Sequence, residues 1–253
     1  MLPITRKTKI KDMIMEKKSV TVAELTLLFQ VTEETIRRDL KQLEEEGVLT
    51  RTYGGAYIPD GVQNDINIQL REHIHVDGKK RIAEQCVQFI SNGDSIFLDA
   101  STTSLYLAQQ IQDQRLTVVT NSIKIINELL DKPSVHLVII GGGISSGSMS
   151  ALGRNAELNM KSYFFDMAFL SCRSISLQHG LTDSNEQQAE VRRIAAERAN
   201  KVYLAADYTK FDRTSFASIC PLDWIHTIVT DQRLDDTWRE AANTKGISLY
   251  ECD

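Results

Sequence analysis

Apolar residues recur at helical spacing in three short blocks near the start of the chain. Their members are Ile10, Met13 and Ile14; Val22, Leu25, Leu28 and Phe29; and Ile36, Leu40 and Leu43. A repeat of about three to four residues places each block on one face of a helix. Thr21 with Glu24 forms a capping-box pattern before the second block, and Thr32 can cap the third. The pattern predicts three short helices within residues 7–46, the last of them ending at Gly47.

The hydrophobic pattern then changes to one typical of strands. Residues 48–58 mix β-branched and aromatic side chains around Gly54 and Gly55, which predicts a small β-hairpin. Pro59-Asp60-Gly61 marks a turn that begins a polar connector. These changes divide the chain into a small module at residues 1–57, a linker at 58–77 and a larger domain at 78–253.

The larger domain alternates short apolar runs with helical stretches. The six runs are residues 96–98, 116–119, 135–140, 167–170, 202–205 and 227–229. Strands that alternate with helices are typical of a mostly parallel sheet, and nearly continuous apolar strands indicate a sheet covered on both faces. We therefore predict an α/β fold for the chain, with a Rossmann-like, mostly parallel larger domain.

The small module has the pattern of a winged helix-turn-helix, because only Gln30 and Val31 separate its second and third helices and a hairpin follows. If Ile36 faces the core, the third helix turns polar and basic side chains outward, where an arginine can pair with guanine. The candidate DNA-binding residues are Thr32, Glu34, Thr35, Arg37, Arg38, Lys41 and Gln42 on the helix, and Arg51 and Tyr53 on the wing. Residues 44–46, all glutamates, are expected to face water or the next domain. Periodicity alone leaves open a structural three-helix bundle whose outer face is merely solvated.

Polar residues follow the predicted strands of the larger domain. In an open parallel sheet, ligands bind beyond the carboxyl ends of the strands, and hydroxyls with free amides at a helix N-terminus suit a phosphate. The candidate effector-binding residues are Asp99, Ser101, Thr102, Thr103, Asn121, Ser122, Gly141, Gly142, Gly143, Asp183 and Lys210. A phosphorylated sugar or polyol fits this set. Each residue also has a structural interpretation, since Ser101 to Thr103 can simply cap a helix and Asp207 with Lys210 can be a surface pair.

Composition narrows the class of protein. The chain has 253 residues, of which 42% are hydrophobic and 25% charged, as in ordinary soluble globular proteins. It has no apolar run near the roughly 18 residues of a membrane span and no signal-peptide pattern, so we expect a cytoplasmic protein. Residues 1–57 carry ten basic and nine acidic side chains, a net charge of +1, whereas the remaining 19 basic and 25 acidic residues give −6. Affinity for a polyanion is therefore expected in the small module.

Metal and redox chemistry find little support in the sequence. The four cysteines, Cys86, Cys172, Cys220 and Cys252, lie far apart and form no Cys-x-x-Cys pair, so reduced thiols are expected. His73 and His75 could touch a metal, but no cysteine or third histidine lies near them. We expect no metal and no cofactor.

Longer motifs resemble the DeoR family of bacterial transcription regulators. In the small module these are Thr-Ile-Arg-Arg-Asp-Leu at residues 35–40 and Gly-Gly-Ala at 54–56; in the larger domain they are Asp-Ala-Ser-Thr-Thr at 99–103, Gly-Gly-Gly at 141–143, Gly-Leu-Thr-Asp at 180–183 and Asp-Tyr-Thr-Lys-Phe at 207–211. The resemblance covers nearly the whole chain. It implies a sensor domain similar to ribose-5-phosphate isomerase and glucosamine-6-phosphate deaminase, with sugar phosphates as effectors and the loop at 99–103 on the phosphate. The chain departs from the family at Ser101, where glycine is usual, and at Arg192, where lysine is usual.

These patterns favour a regulator, in particular a repressor of a carbohydrate-metabolism operon that binds double-stranded operator DNA and is controlled by a phosphorylated sugar. Few side chains can neutralise phosphates in one subunit, so we expect a homodimer or homotetramer on paired half-sites. One alternative is an isomerase or deaminase that uses Asp99, Asp183, Asp207 or Glu190 as a base. Another is a scaffold that binds no ligand.

Overall fold

The computed structural model describes residues 2–17, 19–46, 48–57, 68–72 and 74–253. The chain divides into two compact units, the N-terminal unit at residues 1–75 and the C-terminal unit at 76–253. The predicted turn at Pro59-Asp60-Gly61 and the helix end at Gly47 lie outside the described residues. Within the predicted linker, a short helix α4 spans Ile68–Glu72, and the next helix already begins at Val76.

The first three helices of the N-terminal unit lie where the periodicity predicts them. They are α1 Pro3–Lys17, α2 Val22–Phe29 and α3 Glu33–Glu45. Both predicted caps are present, because Thr21 Oγ1 accepts a hydrogen bond from the Glu24 amide at 3.1 Å and Thr32 Oγ1 accepts one from the Thr35 amide at 3.3 Å. An N-cap of this kind satisfies an amide that has no partner inside the helix.

The predicted hairpin is confirmed and belongs to a three-stranded antiparallel sheet. Its strands are β1 Ser19–Thr21, β2 Thr50–Arg51 and β3 Gly55–Tyr57, in the order β1-β3-β2. The pattern did not predict β1, since three residues are too few to show an alternation. Gly55 is required at the crossing, because a Cβ there would lie 2.1 Å from the Val20 carbonyl oxygen.

The core of the N-terminal unit uses most of the predicted apolar positions, but Leu28 does not belong to it. Val22, Leu25 and Phe29 are buried, whereas Leu28 is 55% exposed. At about 100° per residue, Leu28 points roughly 90° away from the centre of the face that the other three share. The prediction that Leu28 is part of the buried block was therefore wrong.

Helices and strands alternate through the C-terminal unit. The strands are β4 Ser95–Leu98, β5 Leu116–Thr120, β6 Val135–Ile139, β7 Gly143–Ser145, β8 Ser150–Leu152, β9 Phe165–Leu170, β10 Ser174–Ser176, β11 Gly180–Asp183, β12 Ala199–Ala205, β13 Ala217–Cys220, β14 Thr227–Thr230 and β15 Ser248–Glu251. The helices are α5 Val76–Val87, α6 Thr102–Gln110, α7 Ile123–Leu129, α8 Arg154–Met160, α9 Glu186–Glu197 and α10 Asp236–Lys245, with 3-10 turns at Tyr208–Lys210 and Leu222–Trp224.

Seven strands form one parallel sheet in the order β15-β14-β12-β9-β4-β5-β6. All six predicted strands lie in it, which confirms the α/β fold class. Phe97 packs in one hydrophobic cluster while Ile96 and Leu98 pack in another, so β4 is buried on both faces as its apolar run predicts. The edge strand β15, the hairpin β7-β8 and the antiparallel sheet β10-β11-β13 were not predicted.

Membrane-spanning helices and clusters of metal ligands are both absent from the described residues. Among them, no helix is long and apolar enough to span a bilayer. No group of three or more histidine, cysteine or acidic side chains in that part of the chain could hold a metal ion. His73 lies outside the described residues, so the His73/His75 pattern is not tested.

Candidate nucleic-acid interface and effector site

Helix α3 presents the predicted polar face. Its buried residues are Ile36, Asp39, Leu40 and Leu43, and the exposed ones include Glu34, Arg37, Arg38, Lys41 and Gln42. Thr35 is half-buried, and its hydroxyl lies 3.0 Å from that of the capping Thr32. The structure thus places these two threonines at the start of the helix as partners of each other.

Two of the predicted DNA-binding arginines are held by other protein groups. Arg37 Nη1 donates to the Tyr53 carbonyl oxygen at 3.0 Å, and Arg37 Nη2 lies 3.3 Å from Glu33 Oε2. Arg51 donates from its amide and from Nε to Glu44 at 2.9 and 2.6 Å. The hydrogen bond from the Arg51 side chain lowers the pKa of the Glu44 carboxyl. Both contacts join the wing to α3.

The acidic run at the end of α3 is neutralised inside the unit. Glu46 pairs with Lys11 at 2.8 Å and with Lys7 at 3.8 Å, and Glu45 lies 3.9 Å from Lys41. The prediction that these glutamates face only water or the next domain was incomplete, because it overlooked the cations of α1 and of the wing. Pairing removes much of their repulsion toward a phosphate backbone.

Three residues of the outer face remain available to a partner. Glu34, Arg38 and Gln42 are exposed, and their side chains have no hydrogen-bond or ion-pair partner within the described part of the chain. The Tyr53 side chain at the tip of the wing is 96% exposed. A partner can therefore contact these side chains without breaking a hydrogen bond or ion pair among the described residues.

Sequence reasoning missed a buried ion pair beneath this face. Arg6 Nε of α1 lies 2.6 Å from Asp39 Oδ2 of α3, and both side chains are at most 4% exposed. A signal was present, since Asp39 stands three positions after Ile36 and puts a carboxylate on the apolar stripe. Charges buried in this way require a partner.

The predicted effector residues gather at the carboxyl ends of neighbouring strands. Asp99 follows β4, Asn121 follows β5 and Gly141 comes after β6, and these three strands are adjacent in the sheet. Lys210 lies beyond β12 in a 3-10 turn, 3.8 Å from Asp207 Oδ2. The topology therefore brings the predicted loops to one end of the sheet.

Arg192, noted in the sequence as a departure from the family, joins two of the predicted carboxylates. Its Nε lies 2.6 Å from Asp99 Oδ2, and its Nη1 donates to Asp183 Oδ2. Burial acts to lower the pKa of Arg192, but the charges of Asp99 and Asp183 outweigh it and raise the pKa further above its ordinary value. The guanidinium thus remains charged and fixes Asp183 beside the β4 loop.

The Asp99 carboxylate accepts hydrogen bonds that hold its loop in place. Its Oδ1 accepts from Ser104 Oγ at 2.6 Å, and its Oδ2 also accepts from the Ser171 amide at 3.0 Å. Together with Arg192, these donors occupy both oxygens of a carboxylate that is 1% exposed. A carboxylate so engaged is poorly placed to act as a free base.

Ser101 is the N-cap of α6, as its structural interpretation allows. Its Oγ accepts from the Ser104 amide at 3.0 Å. The next two amides, of Thr102 and Thr103, have no acceptor among the described residues. They leave two donors at the positive end of a nine-residue helix.

Asn121 has a buried oxygen without a partner. Its Nδ2 donates to the Ala151 carbonyl oxygen at 3.0 Å, which fixes the orientation of the amide. Its Oδ1 has no hydrogen-bond partner in the part of the chain that the structure describes, although the residue is 1% exposed. The neighbouring Ser122 caps α7 through its Oγ, 3.4 Å from the Ile125 amide. Asn121 therefore offers an acceptor, and Ser122 is structural.

A pocket of about 470 Å³ opens beside the glycine loop. It is lined by Gly143, Ile144, Ser145, Leu152, Gly153, Arg154, Asn155 and Gln187. Of the predicted residues only Gly143 lines it; Gly142 instead packs under β8, where a Cβ would lie 2.6 Å from the Leu152 carbonyl oxygen. Of the polar lining residues, Arg154 and Asn155 follow β8 and Ser145 ends β7, two strands that the sequence did not predict, and Gln187 lies in α9.

Each of the two units matches a known protein family. Residues 74–232 match the family described as the DeoR C terminal sensor domain, and residues 6–62 match the DeoR-like helix-turn-helix domain. The chain belongs to the DeoR family. This DeoR-family protein is therefore a transcription regulator that carries a DNA-binding domain and a sensor domain for an effector.

Relatives match this DeoR-family protein over nearly its whole length. It is 37% identical to the uncharacterized HTH-type transcriptional regulator YulB of Bacillus subtilis (strain 168), with 98% of this chain and 96% of the relative covered. It is 30% identical to the HTH-type transcriptional repressor GlcR of the same organism, with 96% and 94% covered. These relatives are named as regulators and not as enzymes, so the enzyme alternative is not supported.

One solved structure is a distant match to the chain. Ribose 5-phosphate isomerase A from Methanocaldococcus jannaschii is 14% identical, covers 54% of each chain and gives a TM-score of 0.40. A likeness at this level carries no argument about activity.

Proposed function

We propose that this DeoR-family regulator represses a carbohydrate operon and that a phosphorylated sugar or polyol controls it from the carboxyl end of the seven-stranded sheet. The name of the relative GlcR, a transcriptional repressor, supports the sign of the regulation. The chemistry of the loops after β4 and β5 supports the class of effector. In this proposal the regulator is a homo-oligomer.

The effector proposal rests on Asn121 Oδ1, a buried oxygen that has no hydrogen-bond partner among the described residues. A buried acceptor without a donor is costly, and a sugar hydroxyl can supply that donor. The strand β4, whose loop leads to the free Thr102 and Thr103 amides, is the direct neighbour of the Asn121 strand. Two amides at a helix N-terminus suit a phosphate. A hydroxyl donor and an anion together describe a sugar phosphate.

Control also requires that the effector loops be coupled to the DNA-binding unit. Helix α5 begins at Val76, directly after the N-terminal unit. A Cβ at Gly78 would lie 2.2 Å from Asp231 Oδ2, so α5 packs closely on this carboxylate. Asp231 Oδ1 in turn accepts from the Tyr208 amide at 2.8 Å, in the same 3-10 turn as Lys210. A shift of the Lys210 turn on binding would therefore reach α5.

A melting screen tests the effector. We expect sugar phosphates at about 100 times their Kd to stabilise the C-terminal unit by about 2.7 kcal/mol, a rise in Tm of about 5–10 °C. Asn121→Ala should remove this rise because it deletes the buried acceptor. Asn243→Ala, on the exposed side of α10, is the matched control and should keep it. Equal shifts in both variants, or shifts with unphosphorylated sugars only, would contradict the proposal.

Binding of DNA tests the repressor and the oligomer. The full chain should bind duplex DNA from the region upstream of its own gene, and a sugar phosphate found in the screen should release it. Sedimentation of the complex should give two or more subunits for each DNA, because one subunit offers few cations to phosphate. Tighter binding with the sugar phosphate would refute repression relieved by effector, and a tight complex with one subunit would refute the oligomer.

A further inference from the structure

The tip of the wing is tied to the start of α3 by one arginine. Arg37 Nη1 donates to the Tyr53 carbonyl oxygen at 3.0 Å, while Nη2 of the same guanidinium lies 3.3 Å from Glu33. Tyr53 lies in the turn between β2 and β3. The planar guanidinium therefore bridges the first turn of the helix and the wing tip.

Other contacts fix the rest of the wing. At its base, the amide and Nε of Arg51 donate to the two carboxylate oxygens of Glu44 at 2.9 and 2.6 Å. Across the turn, the Thr52 amide donates to the Gly55 carbonyl oxygen at 2.9 Å, and the Val22 amide donates to that of Gly54 at 2.9 Å. Arg37 thus connects α3, the recognition helix of the helix-turn-helix, to the tip of the wing, and Glu44 connects α3 to its base.

We propose that Arg37 is a positioning residue that holds the wing against the recognition helix, whereas its neighbour Arg38 reads the DNA. The inference rests on the DNA-binding role of the family. Arg37 cannot turn to a base without releasing the Tyr53 carbonyl oxygen and Glu33. Arg38 gives up no contact within the described part of the chain. A wing held in place loses less conformational freedom when it meets DNA.

The salt dependence of binding separates positioning from phosphate contact. The slope of log K against log salt is negative, and each phosphate that a protein cation neutralises increases its magnitude by about 0.9. We expect Arg37→Ala to weaken binding of the upstream duplex about tenfold, the equivalent of about 1.4 kcal/mol, with an unchanged slope. A slope reduced by about 0.9 would overturn the proposal, since it would show that Arg37 neutralises a phosphate.

Arg37→Lys sharpens the test. Lysine keeps the charge and would preserve most of a phosphate contact, but its ammonium lacks the planar fork that spans two acceptors. We therefore expect the lysine variant to bind as weakly as Arg37→Ala. Wild-type affinity in Arg37→Lys would show that only the charge matters and would overturn the positioning role.

Arg38→Ala is the matched comparison, because it removes the same charge one position along the same helix. Loss of a base contact should weaken binding of the upstream duplex about tenfold to a hundredfold and leave binding of a shuffled duplex of equal length nearly unchanged. Arg37→Ala should weaken binding of both duplexes, because a wing that is not held in place contacts DNA of any sequence less well. Equal behaviour of the two variants on both duplexes would refute the division of roles.

Hydrogen exchange tests the contact between Arg37 and the wing in the absence of DNA. The wing amides of residues 52–55 should exchange faster in Arg37→Ala and Arg37→Lys than in the wild type and in Arg38→Ala. Unchanged exchange in the Arg37 variants would overturn the positioning role even if DNA binding is normal. If the wild-type protein binds no DNA but the wing amides still exchange faster in the Arg37 variants, Arg37 holds the wing and the proposed DNA-binding function is wrong.

Discussion

Asp39→Ala should lower the free energy of unfolding of the N-terminal unit by about 3–5 kcal/mol. The substitution leaves the Arg6 guanidinium without its carboxylate, at a site where both side chains are at most 4% exposed. An unpaired charge in such a place loses its solvation and recovers little in return. A small domain is stable by only about 5–15 kcal/mol, so the variant should be partly unfolded at physiological temperature and should fail to bind DNA.

The two tryptophans allow each unit to be followed separately. Trp224 and Trp238 both lie in the C-terminal unit, so tryptophan fluorescence during urea unfolding should be unchanged in Asp39→Ala. The early loss of helix should appear in far-ultraviolet circular dichroism.

Two further variants show whether the loss of stability in Asp39→Ala comes from the buried, unpaired charge. Lys17→Ala breaks an ion pair with Glu24 whose side chains are 51% and 37% exposed, and should cost less than about 1 kcal/mol. The double variant Arg6→Met/Asp39→Leu should regain most of the stability, because apolar pairs of similar size replace buried ion pairs well. A loss in Asp39→Ala no larger than that in Lys17→Ala would contradict the prediction.

The sequence alone predicts those parts of the fold that have long or strongly periodic patterns. Helices α1, α2 and α3 and six of the seven parallel strands follow from apolar spacing, because each buries a face that the pattern marks. Strands β1 Ser19–Thr21 and β15 Ser248–Glu251 are exposed or only partly buried along much of their length, so they lack the continuous apolar run that marks the equally short β4 and β14. They form because a neighbouring strand is already present, which is a tertiary cause.

The sequence predicts which loops form a site but not which side chains are available in it. Arg37 and Arg38 are neighbouring arginines that are both exposed. They differ because Arg37 donates to the wing carbonyl oxygen of Tyr53, 16 positions along the chain. Asp99 and Arg192 lie 93 positions apart, so no local sequence pattern shows that the Arg192 guanidinium pairs with the Asp99 carboxylate. By contrast, hydroxyls and amides after β4 and β5 could be predicted, because parallel strands bring their carboxyl ends together.

Arg192→Ala should strongly destabilise the C-terminal unit. It removes the cation between Asp99 and Asp183, and two buried carboxylates are then left to repel each other. The expected loss is about 3–5 kcal/mol, measured by tryptophan fluorescence during urea unfolding. The loop at residues 99–103 should also lose its position, so the response to sugar phosphates should disappear under conditions where the variant is folded.

Arg193→Ala provides the matched control, since it removes the next arginine of the same helix. Arg193 pairs with Glu190 and Glu197 at a side-chain exposure of 37%, and solvent screens such pairs, so its loss should cost less than about 1 kcal/mol. Arg192→Lys should fall between the two, because an ammonium keeps the charge but cannot span both carboxylates. If Arg192→Ala were no less stable than Arg193→Ala, the buried group of Asp99, Asp183 and Arg192 would not support the loop at residues 99–103 as its hydrogen bonds indicate.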